Sequence, residues 1–386
     1  MRMVIDCGRL VLDDRIEREK RVLIEDGKIR AIATHIEAPA DATVIDAREH
    51  LVLPGFIDIH VHGAMGADAM DARPEALHAM ARFFAAHGVT GFVPTTMTAP
   101  RDQVAAAVEN VRRAMAHAHA GAHPAESPVA AHILGVHIEG PYINPRQRGA
   151  QPAEFMRPAD PGEYCPWFES GAVKLVTVAP EVDGVMRLIE DTRQFGIAVA
   201  LGHTDATCAQ AQAAFAAGAN QATHTFNAMR GLHHREPGTL GAVLANDAVY
   251  AQLICDNVHV HPAAMAVLYK CKGADRLAVI TDAMEATGLG DGDFTLGAQR
   301  VAVCQGVARL TDGALAGSTL TMDAAFRNII AATGCTLAEA SRMCSHTPAC
   351  AIGVGDRKGK IAPGYDADLV ILDQDLRVVR TIVGGR

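Results

Sequence analysis

Residues 54–63 read PGFIDIHVHG, an apolar run that ends in two histidines, His60 and His62, two positions apart. In an extended strand residues i and i+2 share a face, so both imidazoles project together. A glycine follows at once, as where a strand stops and a loop turns away. Two imidazoles at the carboxyl end of a strand make a ready pair of metal ligands. A lone HxH reads more readily as two satisfied histidines beside a turn, and it is the rest of the chain that overturns that reading. Later apolar runs end in Glu139, His203, His224 and Asp282. Imidazole and carboxylate ligands suit Zn²⁺, or Fe²⁺ and Mn²⁺, in an open catalytic site rather than a closed structural one. A metal there lowers the pKa of bound water and polarises a carbonyl. Asp282 is then suited to take that water's proton and pass it to a leaving amine. Together these are the parts needed to hydrolyse an amide or a related bond.

The elements that would position these groups follow from the hydropathy pattern. Apolar runs at 56–62, 89–97, 132–139, 173–179, 197–203, 220–225, 250–256 and 277–283 read as strands. Ala-rich amphipathic segments at 74–87, 101–119, 183–195, 205–217 and 262–272 read as helices between them. Strand–helix alternation implies a parallel sheet, and eight units close a (β/α)₈ TIM barrel, whose reactive groups stand at the carboxyl ends of the strands. An open doubly wound sheet is the alternative, but no GxGxxG opens the first unit. The chain divides into 1–53, short strands that begin a small β-sandwich domain; 54–357, the barrel; and 358–386, strands that rejoin the first segment. Asp26-Gly27 joins two β-rich runs and suits a tight hairpin turn. Segment 140–158 carries Pro, Gly and Arg without periodicity, directly after the third strand, and reads as a lid. The fourth strand has its only lysine, Lys174, at its start, so Glu139 must do the bridging if two metals bind. Glu181 reads as a solvated loop carboxylate.

Length and composition bound the possibilities. The 386 residues suit one large α/β core with a minor domain, and 49% hydrophobic with 20% charged residues describes a soluble globular protein. A net charge of −9 points to no nucleic-acid or membrane surface. Nine dispersed cysteines with no CxxC read as reduced thiols, and no signal-like or membrane-spanning run occurs, so a cytoplasmic location is expected.

Beyond the sixth strand, NAMRGLHHREPG holds Asn227, Arg230, His233, His234 and Arg235. A basic loop directly after His224 is a candidate anion site, for which arginine's planar fork is well shaped. His259 and His261 follow the seventh strand; His259 could polarise a carbonyl or bind a hydroxyl, and His261 before Pro262 resembles a helix start.

With these residues in view, PGFIDIHVHG, HIEGPYIN, LGHTDA, THTFNAM, REPG, ITDAM and LAGSTLTM together resemble the N-acetylglucosamine-6-phosphate deacetylase family of the amidohydrolase superfamily, over nearly the whole chain. The resemblance implies metal on Glu139, His203 and His224, with Asp282 as catalytic acid/base. It implies a second ion at His60 and His62, bridged by Glu139, because members that keep both histidines can hold two. A phosphosugar substrate is expected, bound through Asn227, Ala228 and Arg235, the last often supplied across a homodimer interface. His259 matches a residue near the acetamide; Leu315, Ala316 and Gly317 match a substrate-contacting loop. Ala150 and Gln151 fall in the lid, where most members carry histidine at the position of Gln151, so epimer preference is open. Other amide substrates, such as N-acetylgalactosamine 6-phosphate or an N-acyl amino acid, are the alternatives.

Overall fold

The computed structural model describes residues 2–119 and 129–386. Eight parallel strands follow one another around the barrel in chain order: β1 (Phe56–Val61), β2 (Val89–Thr96), β3 (Val136–Glu139), β4 (Val173–Val178), β5 (Ala198–Leu201), β6 (Gln221–Ala222), β7 (Tyr250–Ile254) and β8 (Leu277–Ile280). Covered on both faces, β1 and β2 are buried at every position, which is why they read as continuous apolar runs. The first and last strands meet just past their ends: the Asp282 N–H donates to the His60 carbonyl at 3.0 Å and the His62 N–H to the Ala283 carbonyl at 2.8 Å. Below them the Thr281 hydroxyl donates to Asp58 Oδ2 at 2.5 Å. Residues 220 positions apart in the chain thus become neighbours at the rim.

Helices cover the outside. In α1 (Pro74–Ala86), Leu77, Met80, Ala81 and Phe84 recur at helical spacing and face the barrel. The helix over 101–119 is observed as Arg101–His119. The helices Gly238–Leu244 and His346–Ala351 escape sequence reading, as does Pro161–Glu169 between β3 and β4. The last of these is the longest. It is aromatic-rich and interrupted by Pro166, so the Ala-rich pattern of the helices read from sequence is missing; Asp160, capping its first turn, and Pro161 at its first position are the local signals. After β8 comes a three-stranded antiparallel sheet, Gly292–Leu296, Gln299–Cys304 and Val307–Leu310. It shares a small core with Met97, Ala150 and Met284 and so braces the lid.

The two terminal segments share one six-stranded sheet, in which strands Leu369–Leu372 and Val378–Ile382 join the four N-terminal strands through Thr43–Pro54. The hairpin between Ile16–Glu25 and Lys28–Ala33 turns on Asp26 and Gly27, both with positive φ (50° and 74°), as that dipeptide allows. Lys358, 3% exposed, ties this sheet to the barrel: its ammonium lies 2.5 Å from Asp368 and 3.0 Å from Asp366. Asp368 also accepts the Gly384 N–H, and its carbonyl accepts the N–H of Gly55 at the entrance to β1. Replacing Lys358 by Met leaves Asp368 buried without its partner, so a loss of about 3–5 kcal/mol is expected in urea unfolding. Burial raises the Asp366 carboxyl, but Lys358 and Lys28 outweigh it and bring it down to about 2. Its share of stability is therefore present above about pH 4 and is lost as the pH falls towards that lower value.

Candidate active site

The site is built at the carboxyl rim, and the backbone explains how. His60 lies in β1 and Glu139 closes β3, whereas His203, His224 and Asp282 each sit two residues past the end of β5, β6 and β8. Those three have φ of 48°, 29° and 52°, the left-handed region that L-residues seldom adopt. Sequence reading runs these strands on through the three residues; in the structure the chain turns there and swings each side chain over the mouth. Such conformations cost about 1–3 kcal/mol each and persist where the surroundings over-determine them. Gly202 shows how tight the approach is: a Cβ there would stand 2.6 Å from Thr223 Cβ and 2.9 Å from Thr177 Cγ2.

The side chains converge. Glu139 Oε1 lies 3.2 Å from His203 Nε2, 3.3 Å from His224 Nε2 and 3.4 Å from His60 Nε2. Its other oxygen lies 3.3 Å from His62 Nε2. Asp282 Oδ1 stands 3.3 Å and 3.2 Å from the Nε2 atoms of His60 and His62. Two ligand triads result, Glu139–His203–His224 and His60–His62–Glu139, each with its ligand atoms within 4.8 Å of one another. All these groups are buried.

Electrostatics explain the pairing. Burial would raise both carboxyls, but the imidazoles reverse it: Glu139 is held well below the usual range and Asp282 comes down to about 2. Burial lowers His60 and His62, and the two carboxylates override it and raise both. His224 is lowered by burial. His137, fully buried below the rim between the hydroxyls of Thr95 and Thr177, is pushed well down by burial and by neighbouring His60. It is a neutral core histidine.

The donors fit a divalent cation. His60 Nε2 is buried without a hydrogen-bond partner. His203 and His224 point Nε2 at each other across 3.1 Å. The His203 Nδ1–H faces the Gln147 carbonyl at 2.8 Å and the His62 Nδ1–H faces the Thr95 carbonyl at 3.2 Å, so in both rings Nε2 keeps its lone pair. Inward lone pairs around a shared carboxylate call for positive charge, and the chemistry of the set suits Zn²⁺, Fe²⁺ or Mn²⁺.

A cavity of about 210 Å³ opens over this floor. His62, Glu139, Ala150, Gln151, His203, His224, Asn227, Ala228, His259, Asp282, Leu315 and Gly317 line it, with Met97 and Leu296 among the apolar walls. His259 receives its orientation from a residue the sequence did not single out: Asp256 Oδ2 accepts its Nδ1–H at 2.6 Å.

The structure adds detail to four expectations. Gln151 lines the cavity and is oriented from behind, its Oε1 accepting the Thr98 N–H and its Nε2 donating to Glu139 Oε2, both at 2.7 Å. Ala316 lies behind the wall, fully buried in the small core beneath the lid. Arg235 is exposed, off the cavity, with its guanidinium 2.9 Å from His234 Nε2; among the described residues neither Arg nor Lys lines the cavity. Glu181 is no solvated carboxylate: it accepts from the Asn144 amide, the Thr204 hydroxyl and the Asp205 N–H, fastening the lid to the turn after His203.

Known proteins share this arrangement of the whole chain. The chain is 38% identical to the N-acetylglucosamine-6-phosphate deacetylase of Bacillus subtilis, covering 97% of this chain and 94% of that one. It is also 38% identical to the N-acetylgalactosamine-6-phosphate deacetylase of Escherichia coli, over 100% and 99%. A solved mutant of N-acetyl-D-glucosamine-6-phosphate deacetylase from Mycobacterium smegmatis, in complex with N-acetyl-D-glucosamine-6-phosphate, superposes with a TM-score of 0.90 at 34% identity, covering 100% of this chain and 98% of that one. The sequence profile of the Amidohydrolase family matches residues 51–386, nearly all of the barrel and the C-terminal strands, and the chain belongs to that family.

Proposed function

We propose that this chain hydrolyses the acetamide of N-acetyl-D-glucosamine 6-phosphate, giving D-glucosamine 6-phosphate and acetate. The observation that carries the reading is the pair of triads sharing Glu139 beside buried, ionised Asp282, in a chain similar end to end to deacetylases of phosphorylated amino sugars. Glu139, His203 and His224 would hold one divalent cation, Zn²⁺ first among the candidates, and His60, His62 and Glu139 a second; an ion so held would supply an acidified water and polarise the acetyl carbonyl. Asp282 accepts the proton of the attacking water and delivers it to the sugar nitrogen as the C–N bond breaks. His259, held through Nδ1 by Asp256, turns its Nε2 to the acetyl group. Asn227 and Ala228 face the sugar phosphate, and Leu315 and Gly317 flank the ring.

Among the described residues, no Arg or Lys lines the cavity to meet a substrate phosphate. Arg235, exposed on the loop after β6, serves the phosphate of a neighbouring subunit in a homodimer. Arg235→Ala is expected to raise KM for the phosphosugar about 10- to 150-fold, the worth of a charge-assisted hydrogen bond, and to leave N-acetylglucosamine turnover unchanged. Mixing it with Asp282→Asn restores activity if the arginine crosses between subunits, since the second variant lends its Arg235 to the first one's intact Asp282. No recovery in mixed dimers would place the phosphate contact within one chain.

The galactosamine epimer is the second reading, favoured by the full-length likeness to the Escherichia coli relative. Gln151, held by Thr98 and Glu139, keeps one N–H and one lone pair for the cavity it lines, where it bears on epimer choice. Acetate release measured with both epimers, with free N-acetylglucosamine and with N-acetyl amino acids separates the readings. Ammonia release instead of acetate would overturn the deacetylase assignment.

A further inference from the structure

His62 and His203 have backbone carbonyls to fix their ring protons, whereas the partner of His60 Nδ1 is a side chain. What faces its Nδ1 at 3.1 Å is the amide oxygen of Gln252, a fully buried residue of β7. That oxygen is there because the Gln252 NH₂ donates to Gln221 Oε1 at 2.9 Å, on neighbouring β6. Gln221 is turned in its own right: its NH₂ donates to the Ala351 carbonyl at 3.1 Å, an atom that can only accept. Hydrogen-bond direction therefore runs one way through four groups, from His60 to the Ala351 backbone.

We propose that Gln221 and Gln252 are positioning residues that make His60 a cation ligand. An amide oxygen only accepts, so Nδ1 of His60 carries a proton and Nε2 offers its lone pair to the second triad. This Nε2 is the buried atom that finds no hydrogen-bond partner, 3.4 Å from Glu139 and 3.3 Å from Asp282. In the opposite tautomer it would donate to Asp282 and occupy the proton acceptor. The inference rests on the cation reading of the site, not on its substrate.

The test compares Gln252→Met, which removes the acceptor at similar volume, with Gln252→Glu, which keeps an acceptor oxygen at Nδ1 whether ionised or not. Stripped protein is titrated with Zn²⁺ and its stoichiometry followed by calorimetry and elemental analysis. Wild type takes two equivalents. Gln252→Met binds the second about 10- to 100-fold more weakly, the usual loss when a ligand's outer partner goes, with the first unchanged; Gln252→Glu recovers most of it. In ¹⁵N-histidine spectra of Zn²⁺-loaded protein, a slowly exchanging His60 Nδ1–H is present in wild type and Gln252→Glu and absent from Gln252→Met. The wild-type spectrum needs no substitution, so it decides even if a variant fails to fold. A ring proton on Nε2, a wild type that takes one equivalent, an unaffected Gln252→Met, or equal loss in both variants would each overturn the proposal. Acetate release is read separately, so a wrong substrate leaves these outcomes intact.

Discussion

Asp282→Asn is expected to lower kcat by about 10³- to 10⁴-fold, the upper range for a group that moves protons in the transition state. The substitution is nearly isosteric, and the main chain there is held independently: its N–H donates to the His60 carbonyl and its carbonyl accepts the Ser318 N–H at 2.7 Å. The fold and the Glu139–His203–His224 triad therefore survive, and what disappears is an anionic acceptor beside two imidazoles. Acetate release and elemental analysis of the same sample test this together. A variant that keeps more than about a tenth of wild-type turnover, with its cation content intact, would remove Asp282 from the proton-transfer role.

Glu139→Gln is expected to empty both cation positions at once, because Glu139 is the one residue common to the two triads. Gln keeps the shape and the neighbourhood of Gln151, but its neutral amide oxygen cannot balance a divalent charge buried among imidazoles. His62→Gln, by contrast, removes a ligand from one triad only and is expected to halve the cation content. Stripping wild type with a chelator should lower its melting temperature, since a bound ion at 100 times its Kd adds about 2.7 kcal/mol to stability. The Glu139→Gln protein should melt at the same temperature with and without added Zn²⁺. If it still binds two equivalents, the shared carboxylate is not what holds the ions.

How much of this was legible in the chain can be argued residue by residue. Most of the barrel strands announce themselves because a strand buried on both faces is largely apolar, and a polar residue that breaks the run stands near the rim. Glu139, His203, His224, Asp282 and the HxH pair were readable for that reason. The helix Pro161–Glu169 was missed because aromatic packing, not an Ala-rich face, holds it to the barrel: Tyr164, Trp167 and Phe168 are buried alongside Glu163. Arg235 marked an anion site in sequence, yet in space it is exposed and is not among the residues lining its own cavity.

Sequence by itself determined which residue types end the strands, and hence that carboxylate and imidazole groups would gather on one rim of a closed barrel. Local forces suffice for that, since burial dictates hydropathy and hydropathy can be read position by position. Only the tertiary structure decided the left-handed turns at His203, His224 and Asp282, the engagement of Gln151 with Glu139, and the protonated edge of His60. Each depends on what lies across the barrel, and a hydrogen bond takes its direction from an atom that may be hundreds of residues away, as the Ala351 carbonyl is from His60.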